Sequence, residues 1–328
     1  MGFPVLRLLC FALLVAVSHL ALVGLAATAS PSLKATIAKY SNVPIGLGRD
    51  HIALRFDELQ RVSDVDVLFV GSSHSLRTFD PRYFERSGVR AFNLGTANQT
   101  PMNTYYLLER YLPQLKPRLV VIEAFWETLA ISGVEGTIAI TVNRGPGWDT
   151  VKMALATHHP KALNSQWSSL AERLFDSTTA IQLNRAEVYT SGGYLERWNS
   201  NDEADVRLTP RDLVVDENQV KYLSRTLTLL RAHDVKALLV WAPVTAARRD
   251  MTRNLEEMRR RMTDLADAQG VPFVNLDNGV HLDDRQDFFD DDHLNQRGVD
   301  KVMPVFIQVL RENRLLDDVA GRVTVHRQ

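Results

Sequence analysis

Hydrophobic positions along the chain follow two different periods. Short runs that are apolar on both faces occur at Asp66-Val67-Leu68-Phe69-Val70, Val89 to Asn93, Leu119 to Ile122, Ala237 to Trp241 and Pro272 to Leu276. Their length and content of β-formers predict strands buried inside a parallel sheet. Segments with helical spacing alternate with them. One runs from Pro101 to Leu115, where Lys116-Pro117 stops it. Leu223, Leu227 and Leu230 mark a second, and Leu255, Met258, Met262 and Leu265 a third. Val299, Val302, Phe306 and Val309 line a C-terminal helix, in which Pro304 predicts a kink or a lost hydrogen bond. A short helix is expected at Pro81, with Asp80 as its N-cap. Strands alternating with helices imply an α/β fold with right-handed crossovers.

The alternation breaks in two places. Residues 31 to 63 read as a polar, partly helical lead-in. Residues 130 to 215 contain Gly145-Pro146-Gly147, His158-His159-Pro160 and Ser191-Gly192-Gly193, and read as a long insertion with some helices, a lid or cap over one edge. The N-terminus has a separate pattern. Arg7 precedes Leu8 to Leu25, which is apolar apart from Ser18 and His19, and Ala27-Thr28-Ala29 follows. A basic start, an apolar run and an A-x-A-like site describe a signal peptide over 1–29, with an uncleaved membrane anchor as the alternative. Either way the body, 30–328, is expected outside the cytoplasm, periplasmic or otherwise extracytoplasmic, as one α/β domain.

Of the 328 residues 45% are apolar and 23% charged, enough material for a sizeable core. The net charge of −1 argues against a nucleic-acid partner. Arg248-Arg249 and Arg259-Arg260-Arg261 read as the solvated face of one helix. The single cysteine, Cys10, lies in the apolar leader, so cleavage after Ala29 leaves no thiol for a disulfide, a nucleophile or a metal.

In parallel α/β sheets chemistry collects beyond the carboxyl ends of the strands. Ser73, Gly95, Glu123 and Pro243 all fall just past such ends. Ser73, in Gly71-Ser72-Ser73-His74-Ser75, is the candidate nucleophile; Ser72 and Ser75 are the bland alternatives. In Asp290-Asp291-Asp292-His293-Leu294-Asn295, His293 suits a general base and Asp290 its orienting partner, while Asn295 caps the following helix. The N–H of Ser73 is one candidate oxyanion donor and a bare N–H at Gly95 a second. His74 is a candidate substrate contact, although neighbouring side chains point apart. Asp291 and Asp292 read as bystanders in a solvated acidic loop, which lacks the Gly and ligand spacing of a calcium site. Glu123 is open between a supporting partner of the site and an edge salt bridge. Trp126, Tyr105 and Trp241 read as core. No metal or cofactor is implied.

These blocks resemble the GDSL/SGNH hydrolase superfamily. Gly71-Ser72-Ser73 is similar to its first block, with Ser72 where Asp is usual. Gly95, in Phe92-Asn93-Leu94-Gly95-Thr96-Ala97-Asn98, is similar to the second, and Asp290-x-x-His293 to the last. The resemblance covers roughly 64 to 125 and 220 to 312. It implies a three-layer α/β/α sandwich on a parallel, flavodoxin-like five-stranded sheet, a nucleophilic Ser73, and His293 with Asp290 as base. The third block departs: Glu123-Ala124-Phe125-Trp126 has no Asn where the family's oxyanion donor belongs. Asn98 is the candidate replacement. The Gly-Ser-Ser-His form and the Asp-His-Leu-Asn ending are similar to exported relatives linked with cell-envelope polymers. That likeness implies an esterase or O-acyltransferase on an acylated carbohydrate, with a membrane-bound acyl donor as a partner. The missing Asn leaves a catalytically weak or inactive binding module of the envelope as the alternative.

Overall fold

A computed structural model describes residues 3–204 and 208–317. Of the expected segments, residues 1–2 of the leader, 205–207 of the insertion and 318–328 of the body lie outside the described residues. The N-terminal apolar run is one helix, α1 (Phe3–Ala27), followed by α2 (Pro31–Tyr40) and α3 (His51–Leu59) in the lead-in. The first half of the α/β body is β1 (Val67–Val70), α4 (Ser73–Thr78), α5 (Arg82–Glu85), β2 (Ala91–Asn93), α6 (Pro101–Leu115) and β3 (Leu119–Glu123). A 3₁₀ turn, Trp126–Ala130, leads into α7 (Val134–Arg144), α8 (Trp148–Ala156) and α9 (Pro160–Leu174). The hairpin β4 (Glu187–Thr190) and β5 (Tyr194–Arg197) follows. The body then resumes with α10 (Glu217–Ala232), β6 (Lys236–Trp241), α11 (Ala246–Met251), α12 (Leu255–Gln269), β7 (Phe273–Asn275) and α13 (Gln296–Glu312).

Five strands form one sheet in the order β2-β1-β3-β6-β7, every pairing parallel. This is the flavodoxin-like order, and its direction reverses between β1 and β3. Alternate residues of each strand serve opposite faces, as the two-residue period of a strand demands. Leu68, Val70, Val120, Ile122, Leu239 and Trp241 pack with α6, α10 and α12. Val67, Phe69, Leu119, Val121, Leu238 and Val240 pack with Phe79, Phe84 and α13. Two apolar layers therefore sandwich a doubly buried sheet, giving the α/β/α architecture.

Several local expectations change in detail. α13 runs on through Pro304. The basic helix is two helices: Thr252 to Asn254 separate Arg248 and Arg249 on α11 from Arg259, Arg260 and Arg261 on α12. The insertion divides its labour. Helices α7, α8 and α9 pack on one another and on α3 and α6. The hairpin instead closes the β2 edge, where Asn93 N–H donates to Gly192 O at 2.7 Å. The buried Arg55 holds it there by donating to Gly193 O from Nε and Nη2, at 3.0 and 2.7 Å.

Beneath β1, Phe306 of α13 is fully buried and packs on Phe79 at 4.8 Å and on Phe69 at 6.3 Å between ring centroids. Phe306→Ala should cost about 3–5 kcal/mol of stability, the range for deleting a buried aromatic ring. Urea denaturation measures it, and a loss below about 1 kcal/mol would contradict this account of the core.

Candidate active site

The sheet's switch point lies where β1 and β3 end side by side, and Gly71 is what lets them do so. Its φ is +140°, and a Cβ there would stand 2.5 Å from the Glu123 carbonyl oxygen and 2.8 Å from the Glu123 Cβ. Only glycine admits both the conformation and the approach. Ser72 then caps α4, its Oγ accepting from His74 N–H at 3.3 Å, so Ser73 becomes the first residue of that helix, a position whose N–H has no acceptor within the helix.

His293 reaches this point from the other end of the chain. Its Nε2 is 2.7 Å from Ser73 Oγ, and its Nδ1 is 3.0 Å from Asp290 Oδ2. Asp290 Oδ1 also accepts from the backbone N–H groups of Asp292 and His293, at 2.9 and 2.7 Å. A tight turn thus fixes base and carboxylate as one unit. Burial opposes the charge on Asp290, but the hydrogen bond and charge of His293 outweigh it and hold the carboxyl below its ordinary range.

The loop carrying this unit is anchored at several points. Asn295 caps α13 through Gly298 N–H and donates to Gln286 O and Phe288 O. Asp287 accepts from Asp283 N–H and from Lys301. Asn201, just past the hairpin, donates to Asp290 O at 3.0 Å. Ser73, His293 and Asp290, singled out in the sequence, therefore meet in hydrogen-bonding order.

The remaining candidates lie elsewhere. The amide of Gly95 is not bare: it donates to Asn93 Oδ1 at 3.0 Å. Gly95 is small because a Cβ would stand 2.9 Å from Ser75 Cβ and 3.0 Å from Leu76 N. Its place is thus explained by packing, which corrects the expected oxyanion role. Asn98 is exposed, with a left-handed φ of +54°. It lines a different cavity, with residues 131–136, His159 and Lys161. His74 is buried rather than presented to a substrate.

What His74 does is hold the site from behind. Its Nε2 is 2.8 Å from Asp292 Oδ1 and its Nδ1 is 3.1 Å from Ser72 Oγ, which itself donates to Glu123 Oε2 at 2.9 Å. A protonated His74 donates from Nε2 to Asp292 and from Nδ1 to Ser72, whose own proton then goes to Glu123. Burial penalises that charge, but the charge and hydrogen bond of Asp292, with Glu123 beyond, raise the His74 pKa above its ordinary value. Asp292 is correspondingly held low against burial, while burial pushes Glu123 up.

Asp292 is therefore no bystander, and neither is Asp291. Arg248, expected on a solvated face, is partly buried and pairs with Asp291 at 3.2 Å, Asp292 at 3.4 Å and Glu127 at 2.9 Å. Its position just past β6, on the active edge, was the signal available for it. Rings complete the support. His74 sits between Phe125 at 3.9 Å and His293 at 4.8 Å, and Phe289 covers the far side of His293 at 5.4 Å. Arg77 and Arg197 lie over Phe289 at 4.7 and 4.1 Å.

His74, Asp292 and His293 bring ligand-type atoms within 4.8 Å of one another. Each already has a partner in the hydrogen-bonded chain, so binding a cation there would dismantle both the His74–Asp292 pair and the contact to Ser73.

No protein-family profile matches the sequence, and no curated protein matches it. Among solved structures the chain is similar to a "putative acylhydrolase" of Bacteroides fragilis, at 17% identity and TM-score 0.39, covering 79% of this chain and 94% of that one. It is similar to a "GDSL-like lipase" of Bacteroides thetaiotaomicron, also at 17% and 0.39, covering 81% of this chain and 100% of that one. At such identity these are likenesses only.

A raised His74 pKa has a signed consequence. The native state keeps a proton that the unfolded chain releases above pH 6.5. Stability from the His74–Asp292 pair is thus fully present below 6.5 and lost as pH climbs through the folded value. Asp292→Asn should move the His74 titration to lower pH, read by NMR of its ring protons, and remove that slope from urea midpoints. An unmoved titration would contradict the assignment.

Proposed function

We propose that the chain is an exported serine-dependent esterase or O-acyltransferase of the SGNH kind, acting on acyl esters of a cell-envelope glycan. The observation that carries the chemistry is the Ser73–His293–Asp290 chain of hydrogen bonds, 2.7 and 3.0 Å long, at the sheet's switch point. Ser73, His293 and Asp290 are partly exposed, while Ser72, His74 and Glu123 behind them are buried.

In this reading Ser73 Oγ attacks the ester carbonyl carbon as His293 Nε2 takes its proton. The Ser73 N–H, at the first position of α4, stabilises the oxyanion. On collapse the bond to the sugar oxygen breaks, and His293 returns the proton to that oxygen, leaving acyl-Ser73. A water or a second hydroxyl then gives its proton to His293 and attacks the acyl carbon. Ser73 leaves and recovers the proton. Asp290 keeps Nδ1 protonated throughout and stabilises the imidazolium. In the transfer version a membrane-bound donor supplies the acyl group: its own alcohol or thiol leaves with the His293 proton as acyl-Ser73 forms, and a sugar hydroxyl takes the acyl group in the second half.

One observation favours the second reading, a weak or inactive binding module. The third-block Asn is absent, its candidate replacement Asn98 lines a different cavity and the Gly95 amide is engaged, so of these donors the Ser73 amide remains at the nucleophile. Losing one such donor typically lowers kcat by about 10²–10³-fold.

A fluorophosphonate probe separates the readings. Labelling is expected at Ser73 by mass spectrometry, and is lost in His293→Ala; an unlabelled, folded protein would favour the binding module. On a small acyl ester, Ser73→Ala should lower kcat by roughly 10⁴–10⁶-fold and Asp290→Asn by about 10⁴-fold. Substantial turnover by Ser73→Ala would remove Ser73 from its role. A chelator should leave the rate unchanged, whereas a metal-dependent phosphoesterase would lose it.

A further inference from the structure

Helix α1 is apolar over Pro4–Ala27, 24 residues, long enough to cross a membrane by length and composition. It is not uniform in its surroundings. Val5 to Val17 are exposed on every side, but the last third is built into the body. Val23 is buried, and Ala27, 0% exposed, forms a small core with Ile45 and Ala171. His19 Nε2 lies 2.8 Å from Asn164 Oδ1 of α9, and Trp167 Nε1 donates to Leu20 O at 2.9 Å. The Phe175 ring lies over Gly24, where a Cβ would stand 3.9 Å from it. Cleavage after Ala29 would strip these contacts from α9 and open the pocket that Ala27 fills.

This docking has a geometric consequence. If His19 to Ala27 are held against the body, the free apolar stretch is about 15 residues, or about 22 Å. The hydrocarbon layer is about 30 Å thick. The helix spans only if the flank beside it sinks to the interface. The outward residues of α9 suit that position. Leu163, Trp167, Leu170 and Leu174 follow at steps of four, three and four along one face. Leu163 is 43% and Leu174 71% exposed, and Trp167, bonded to Leu20 O of α1, and Leu170 are half-buried. A stripe of leucines around one tryptophan, continuous with a spanning helix, is the composition of an interfacial surface.

We propose that α1 is a retained anchor rather than a cleaved leader, and that the Leu163–Trp167–Leu170–Leu174 face of α9 lies in the interface of the surrounding phospholipid bilayer. The assignment is independent of whether Ser73 reacts.

The test uses the full chain, with Cys10→Ala removing its one cysteine. It is reconstituted in nanodiscs of phosphatidylcholine and phosphatidylglycerol and labelled with a fluorophore at Leu163→Cys, at Leu174→Cys or, as a control, at Val214→Cys. Val214 is 82% exposed on the segment leading into α10. Lipids brominated near the headgroup should quench the first two labels at least about twofold, the penetration expected of an interfacial face, and the third not above background. Equal, background quenching at all three would overturn the interfacial face. The mass of the exported chain tests retention directly: an N-terminus at Ser30 would overturn the anchor, and an intact leader is the expected result.

Discussion

The site depends on one chain of polar contacts that runs across the fold: Glu123 to Ser72, Ser72 to His74, His74 to Asp292. Its first two members sit at the ends of β3 and β1, and its last, 218 residues after His74, lies beside His293. The chain fixes the relation between two pieces of backbone that share no sheet pairing. Mostly buried groups of this kind rarely add net stability, because their desolvation offsets much of their attraction. Removing one partner is what costs, since it leaves an uncompensated charge. The network is therefore better understood as setting position. It joins the loop of His293 to the switch point in one register, and the ring stack from Phe125 through His74 and His293 to Phe289 fixes the tilt of the imidazole.

Close approach of β1 and β3 is the precondition for that chain. With any side chain at residue 71, Glu123 would be pushed away and Ser72 would lose its acceptor. At that strand end stands Glu123, whose carboxyl is linked through Ser72 to His74, so the end of β3 is tied to the side of the site where His293 lies.

This explains which parts of the site were legible in the sequence. Ser73, Asp290 and His293 stand in short local strings whose meaning comes from spacing, a strand end in one case and a three-residue turn in the other. The sheet was legible for the same reason, since doubly apolar runs such as Val67 to Val70 need helices on both faces. Asp292, Arg248 and Glu127 were not, because each owes its role to a partner far away in the chain. An acidic run and an arginine pair look solvated until the fold places them together. Gly95 misled for a related reason. It stands past β2 as expected, but the Asn93 side chain reaches forward two residues to accept from its amide, a local bond that spacing does not reveal.

The insertion follows the same division between local pattern and distant partner. Its helical half and its hairpin look like one irregular stretch in the sequence, yet they do different work. The hairpin protects the β2 edge, whose unpaired backbone would otherwise invite association. Arg197 at its end lies over Phe289 and Asn201 just beyond it donates to the Asp290 carbonyl, so the edge cover also braces the loop that carries Asp290 and His293. The helical half packs away from that loop, on α3 and α6, and takes up the end of α1. With α1 in a bilayer, the rigid path from α9 through α7 and α3 to Arg55, the hairpin and the Asp290 loop would set the orientation of Ser73 to the membrane. Under the proposed anchoring, such a path would keep one face of the site toward the membrane.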